Sequence, residues 1–152
     1  MVSRQQLFKW GGFFLFALYL AILCYLLFFS GYRQAVRGIV SYNFIPFMSI
    51  LAEIRGLGPF NLGMLTNNLF GNIIAFMPLG FFIPLLHPNA RKLKYSILCS
   101  FALSITIELL QLVTRMGACD MDDVILNSIG GFCGYWFWIL LCKTLSISKR
   151  GC

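Results

Sequence analysis

The stretch YSILCSFALSITIELLQLVTR, residues 95–115, decides the fold. From Tyr95 to Thr114 it carries one charged side chain, Glu108, in a run that matches the ~20 residues a helix needs to cross a bilayer core. The apolar residues are continuous and lack the in/out alternation of a barrel strand. A helix is therefore the spanning structure that satisfies this backbone in lipid. Glu108 is costly at such a position and marks a functional candidate. Ser104, Glu108, Gln111 and Arg115 recur at helical spacing and share one face. That face belongs inside a bundle or against a wet cavity.

Three other runs have the same character. Gly11–Phe29 is uncharged, Leu69–Leu86 carries Asn72, and Val124–Cys142 carries Asn127 and is rich in glycine and aromatic residues. Pro78 and Pro84 each remove a backbone donor, which predicts a kink or break in the second run. Spans at about 11–29, 69–86, 95–114 and 124–142 make an all-α, polytopic four-helix bundle, a single membrane domain over residues 1–152. Composition agrees: 59% of residues are hydrophobic and 11% charged, against roughly 25% charged in a soluble domain. A soluble enzyme and a disordered chain are both excluded. Arg4 and Lys9 before the first run imitate a signal peptide, but the run is longer than a signal core and no small-x-small cleavage site follows it. The expectation is an uncleaved first helix.

The net charge of +7 resolves into an asymmetry. Four spans put both termini on one side with Arg4, Lys9, Arg91, Lys92, Lys94, Lys143, Lys149 and Arg150, a sum of +8. The other side holds Arg33, Arg37, Arg55 and Arg115 with all five acids, a sum of −1. The positive-inside rule places the termini in the cytoplasm and loops 30–68 and 115–123 outside. Arg91, Lys92 and Lys94 then read as anionic-lipid contacts. No base-reading element accompanies the basic residues, so nucleic acid is not an expected partner.

The six cysteines form no framework. Cys24, Cys99, Cys133 and Cys142 lie in spans, where they act as small apolar residues, and Cys119 lies in an outer loop. In the long loop, Phe47, Ile50, Leu51 and Ile54 follow i, i+3, i+4, i+7 spacing after Pro46. This predicts a short amphipathic helix, either lying in the outer interface or packed on the bundle.

The fourth span opens on Asp120, Asp122 and Asp123. Asp120 suits an N-cap, and acids in a first turn complement the helix dipole. Three acids exceed that need and repel one another unless paired. Two carboxylates with Asn127 offer oxygen ligands to a divalent cation such as Mg²⁺ or Ca²⁺, whereas Arg115 offers neutralisation instead. Gly130 and Gly134 form a GxxxG, read as internal helix packing ahead of dimerisation. Asn68 and Asn72 stand a turn apart at the outer end of the second span, and Pro78 frees a carbonyl toward the same cavity. By topology, Asn72, Glu108, Gln111, Asp120, Asp123 and Asn127 all lie at outer depth. One polar pocket facing the outer leaflet or the extracytoplasmic side is expected.

Four motifs in order carry a family resemblance: Asn43-Phe-Ile-Pro46-Phe; Gly71-Asn72-x₃-Phe76-x-Pro78-Leu-Gly80-x₃-Pro84; Glu108-x₂-Gln111-x₃-Arg115; and Asp120-x-Asp122-Asp123-x₃-Asn127-x₂-Gly130-x₃-Gly134. Over about residues 40–142 the chain resembles the VanZ-like family of bacterial membrane proteins. The resemblance implies a multi-pass protein of the bacterial cytoplasmic membrane, and the name-giving member is associated with low-level teicoplanin resistance. It transfers no catalytic residue. It implies that Asn72, Glu108, Gln111, Arg115, Asp120, Asp122, Asp123 and Asn127 form a shared polar core.

Three function classes follow. The first is an envelope-protective protein whose outer-facing pocket meets a lipid-linked cell-wall precursor or an acylated glycopeptide. The second is a membrane enzyme on a lipid substrate, with Glu108, Asp120 and Asp123 as catalytic candidates, Glu108 as general base and a cation on the aspartates. The third is a non-catalytic partner or small transporter.

Overall fold

A computed structural model describes residues 4–29, 38, 42–55, 62–115 and 119–144. In chain order these form α1 (Arg4–Phe28), β1 (Tyr42–Asn43), α2 (Met48–Arg55), α3 (Leu62–Leu86), a 3₁₀ turn (Pro88–Ala90), α4 (Leu93–Thr114), β2 (Cys119–Asp120) and α5 (Met121–Thr144). Four helices are long and apolar enough to cross a membrane, over Lys9–Phe28, Leu69–Leu86, Leu93–Thr114 and Met121–Thr144. Several begin earlier than the apolar runs predict, because a first turn accepts polar residues such as Lys94, Asp122 and Asp123.

The core is α3, α4 and α5, with α5 packed along both others. Lipid supplies no hydrophobic force between helices, so close backbone approach has to hold them. Missing side chains provide it. A Cβ on Gly130 would collide with the Ile73 carbonyl, one on Gly134 with the Met77 carbonyl, and one on Gly80 with the Gly131 carbonyl. The GxxxG stripe is thus consumed inside the monomer, against α3. Facing it, α4 contributes Ser96, Ser100 and Ser104, each fully buried, and Ser100 sits against Gly131.

Helix α3 runs through both prolines as one element, so the expected break does not occur. Pro84 cannot donate to the Gly80 carbonyl four residues earlier. Ser96 Oγ donates to that carbonyl instead, at 3.0 Å, and the backbone stays satisfied. The carbonyl recruited is the one Pro84 frees, whereas the sequence pointed to Pro78.

Helix α1 packs chiefly on α3. Leu23 joins Phe76, Leu79, Ile83 and Ile107 in a buried cluster, and Tyr19 donates its hydroxyl to the Ala75 carbonyl at 2.8 Å. The rest of α1 is largely exposed, as suits a helix bathed in acyl chains. Lys9, Arg91, Lys92, Lys94 and Lys143 gather at one end of the bundle, hereafter the basic end. Glu108, Asp120, Asp122 and Asp123 gather at the other, the acidic end, where β1 and α2 also sit. Cys142 departs from its reading as a small apolar residue and is disulfide-bonded, while Cys24, Cys99, Cys119 and Cys133 are free. It lies in the last turns of α5, at the edge of the apolar run.

Candidate functional site at the acidic end

Asp120 directly precedes α5, and its Oδ1 accepts the Asp122 N–H at 2.9 Å, the expected N-cap bond. Its own N–H donates to Glu108 Oε2 at 3.0 Å, tying the start of α5 to α4. The same carboxylate reaches the long loop. Asn43 Nδ2 donates to Asp120 Oδ1 at 3.2 Å, and Ser49 Oγ donates to Asp120 Oδ2. Asn43 also bonds Ser49 Oγ at 2.8 Å and, through Oδ1, closes a turn onto the Ile45 N–H at 3.1 Å. Strands β1 and β2 pair in parallel, Tyr42 opposite Cys119 and Asn43 opposite Asp120.

Asp122 is 1% exposed, and both of its oxygens are used. Oδ1 accepts the Phe47 N–H and Oδ2 accepts the Ile50 N–H at 3.1 Å. A carboxylate from α5 thereby caps the N-terminus of α2, meeting orphan donors and the positive end of the helix dipole. Phe47 adopts φ 67°, a left-handed conformation uncommon for a residue with a side chain. That turn precedes α2 and presents its N–H to Asp122.

The two bonds orient α2. Its polar edge faces the aspartates, and its apolar stripe faces away, with Phe47, Leu51 and Ile54 each about half exposed. Tyr42, Phe44, Ile45 and Met48 extend the same exposed surface. Three of the four stripe residues are open, as a helix lying in the interface requires, while Ile50 is only partly exposed.

Below this roof the polar residues diverge. Asp123 Oδ1 accepts from Asn72 Nδ2 and links α5 to α3. Asn127 Nδ2 donates to Ser104 Oγ at 2.8 Å and links α5 to α4. Gln111 Nε2 donates to the Leu27 carbonyl at 3.2 Å and links α4 to α1. Glu108, Gln111 and Asn127 are all buried. Gln111 Oε1, Asn127 Oδ1 and Ser100 Oγ have no hydrogen-bond partner among the described residues.

Arg115 does not join this cluster as the helical spacing predicted. It is the C-cap of α4, with φ 53° and ψ 42°, its N–H bonded to the Gln111 and Leu112 carbonyls. Left-handed geometry turns the side chain off the buried face, and it is exposed. Its carbonyl accepts the Gly38 N–H at 2.8 Å. Among the described residues it forms no ion pair with the aspartates. Among the described residues, no three acidic, histidine or cysteine side chains converge there as metal ligands either. Asp120, Asp123 and Asn127 engage Ser49, Asn72 and Ser104 respectively, each on a different helix. The Asn68 side chain and residues Arg33 and Arg37 lie outside the described residues.

The chemistry on display is acceptance by carboxylates of neutral donors. The only histidine, His87, stands at the basic end beside Phe13. Asn43, quoted in the sequence only as the start of a motif, holds Asp120 together with Ser49, and Ser96 and Ser100, which face the glycines, were passed over with Ser49. The i, i+4, i+8 spacing of Ser96, Ser100 and Ser104 opposite a GxxxG was the available signal for the latter pair.

Cys119 reports on the cluster. Burial, then the charges of Glu108 and Asp120, push its thiol pKa up. The thiolate is the reactive form, so alkylation of Cys119 is expected to be slower than that of a free cysteine at neutral pH and to accelerate as pH rises. Glu108→Gln removes one repelling charge, lowers that pKa and speeds alkylation at fixed pH. Rates measured on a variant with Cys119 as the sole cysteine check this. An unchanged rate would show that Glu108 carries no charge felt at Cys119.

A helical bundle with four membrane-crossing helices and a buried acid-and-amide cluster at one end defines a multi-pass integral membrane protein. The family model described as VanZ/LLP1 matches residues 16–142. A relative described as Protein VanZ, from Enterococcus faecium, is 30% identical over 137 residues, covering 89% of this chain and 78% of that protein. No solved structure matches the chain. The chain belongs to the VanZ/LLP1 family.

Proposed function

We propose that this protein works at the extracytoplasmic face of a bacterial cytoplasmic membrane, termini in the cytoplasm, and lowers susceptibility to teicoplanin-type glycopeptides. The carrying observation is the apolar roof, Tyr42 to Ile54, held over the bundle by Asp120 and Asp122. An exposed surface of Tyr42, Phe44, Phe47 and Leu51 on a membrane protein suits the interfacial depth where an acyl chain enters the leaflet. Teicoplanin-type drugs carry such a chain, and lipid-linked cell-wall precursors carry another. In this reading the outer-facing polar site has two parts: Asp120 and Asp122 hold the roof with Glu108 behind Asp120, and Asn72, Gln111, Asp123 and Asn127 tie the helices beneath it, with Arg115 beside them. The charge asymmetry supports the orientation, since eight basic residues lie on the side assigned to the cytoplasm.

The decisive measurement is susceptibility of a host with and without the gene, to acylated and non-acylated glycopeptides in parallel. Expression is expected to raise the inhibitory concentration of the acylated drug several-fold and to change the non-acylated one less. No change with either drug sinks the resistance function. An impermeant thiol reagent on intact cells tests orientation separately: Cys119 is expected to label from outside, and labelling only after lysis inverts the topology.

A further inference from the structure

At the basic end, far from the roof, α1 and α3 leave a groove of about 550 Å³ between them. Leu7, Leu15, Phe82 and Leu85 line it, and Lys9 is the one polar side chain among the described residues along it. We infer that this groove seats one acyl chain of an anionic phospholipid, with the lipid phosphate on the Lys9 ammonium.

Glycine builds the groove. A Cβ on Gly12 would stand 2.9 Å from Leu86 Cδ2, so α1 touches α3 there. A Cβ on Gly11 would meet nothing within 4 Å, so the position beside that contact is left open. The walls lie mostly within the spans Lys9–Phe28 and Leu69–Leu86, which makes the groove continuous with the lipid-facing surface. From Lys9 to Leu15 the helix rises about 9 Å, so the groove takes the headgroup-proximal part of an acyl chain within one leaflet of about 15 Å.

Charge selects the headgroup. Lys9 is exposed at the mouth, and Lys92 and Lys94 sit at the same end, so the local field favours an anionic lipid over a zwitterionic one. A second copy of the chain fits less well. No acidic side chain is among the described residues of the lining, so a second copy seated there would leave Lys9 against apolar surface without a partner.

The test is native mass spectrometry of the full-length protein in mild detergent doped with phosphatidylglycerol or phosphatidylcholine of matched chains. The wild type is expected to retain one phosphatidylglycerol and to hold phosphatidylcholine more weakly. Lys9→Gln, at an exposed position that leaves the fold intact, is expected to weaken phosphatidylglycerol retention about five-fold and leave phosphatidylcholine unchanged. Gly11→Leu fills the groove and is expected to reduce both. Equal retention of the two lipids by the wild type, or no effect of Lys9→Gln, overturns the assignment. A dimer broken by Gly11→Leu overturns it in favour of a second copy.

Discussion

Asp122→Ala is expected to detach the roof of the acidic end. The side chain is 1% exposed and holds two backbone N–H groups, those of Phe47 and Ile50, with its two oxygens. Hydrogen bonds to a charged group are each worth roughly 1.5–3 kcal/mol, and their loss leaves orphan donors at the start of a helix. Helix α2 is eight residues long, too short to persist without tertiary support. The Phe47 backbone, at φ 67°, is also held only while its N–H has that partner. The expected cost is ~3 kcal/mol, felt first as release of residues 42–55. Asp122→Asn keeps an acceptor for one of the two donors and is expected to lose about half as much. Limited proteolysis of the loop and the melting temperature in detergent measure both variants. The expected order of loop protection is wild type, then Asn, then Ala. Equal protection in all three would mean that the roof is held by something other than this carboxylate.

The sequence discloses some of this arrangement and hides the rest for a physical reason. The helix at 93–114 is legible because a bilayer demands a continuous apolar run, and Glu108 stands out against it. The burial of Ser104, Glu108 and Gln111 follows from helical periodicity alone. Arg115 keeps the same period but escapes it, because periodicity does not record where a helix stops and α4 ends one residue earlier. The roof is harder. Asn43 and Asp120 are 77 residues apart, and the strands they belong to are two residues long, below any alternation that can be read. Three aspartates in four residues read as a surplus to be balanced by pairing, by Arg115 or by a cation. They are instead shared out, one to the loop, one to α2 and one to Asn72, and that division depends on tertiary placement. Pro84 hides its compensation similarly: the acceptor it frees in α3 is met by Ser96, a residue on another helix.

Gly134→Leu is expected to be the most damaging single substitution in the spans. Gly134 faces the backbone of α3, where a Cβ would collide with the Met77 carbonyl and stand 2.9 Å from Phe81 N. Neither atom belongs to a flexible side chain, so the helices themselves must separate. Separation is especially costly in lipid, because packing and weak backbone contacts, rather than the hydrophobic effect, hold such helices together. Overpacking a tight core costs about 1–3 kcal/mol, and displacement here also pulls Gly130 from Ile73 and Gly131 from Gly80. The register of the acidic end follows, since Asn72–Asp123 spans the same pair of helices. Gly71→Ala is the matched control. It lies on α3 with nothing within 4 Å of its would-be Cβ, so it is expected to leave the bundle intact and gain about 0.5–1 kcal/mol of helix propensity. Opposite shifts in melting temperature are therefore predicted for two glycine substitutions on neighbouring helices. A loss of stability at Gly71 equal to that at Gly134 would show that backbone approach between α3 and α5 is not what holds the bundle.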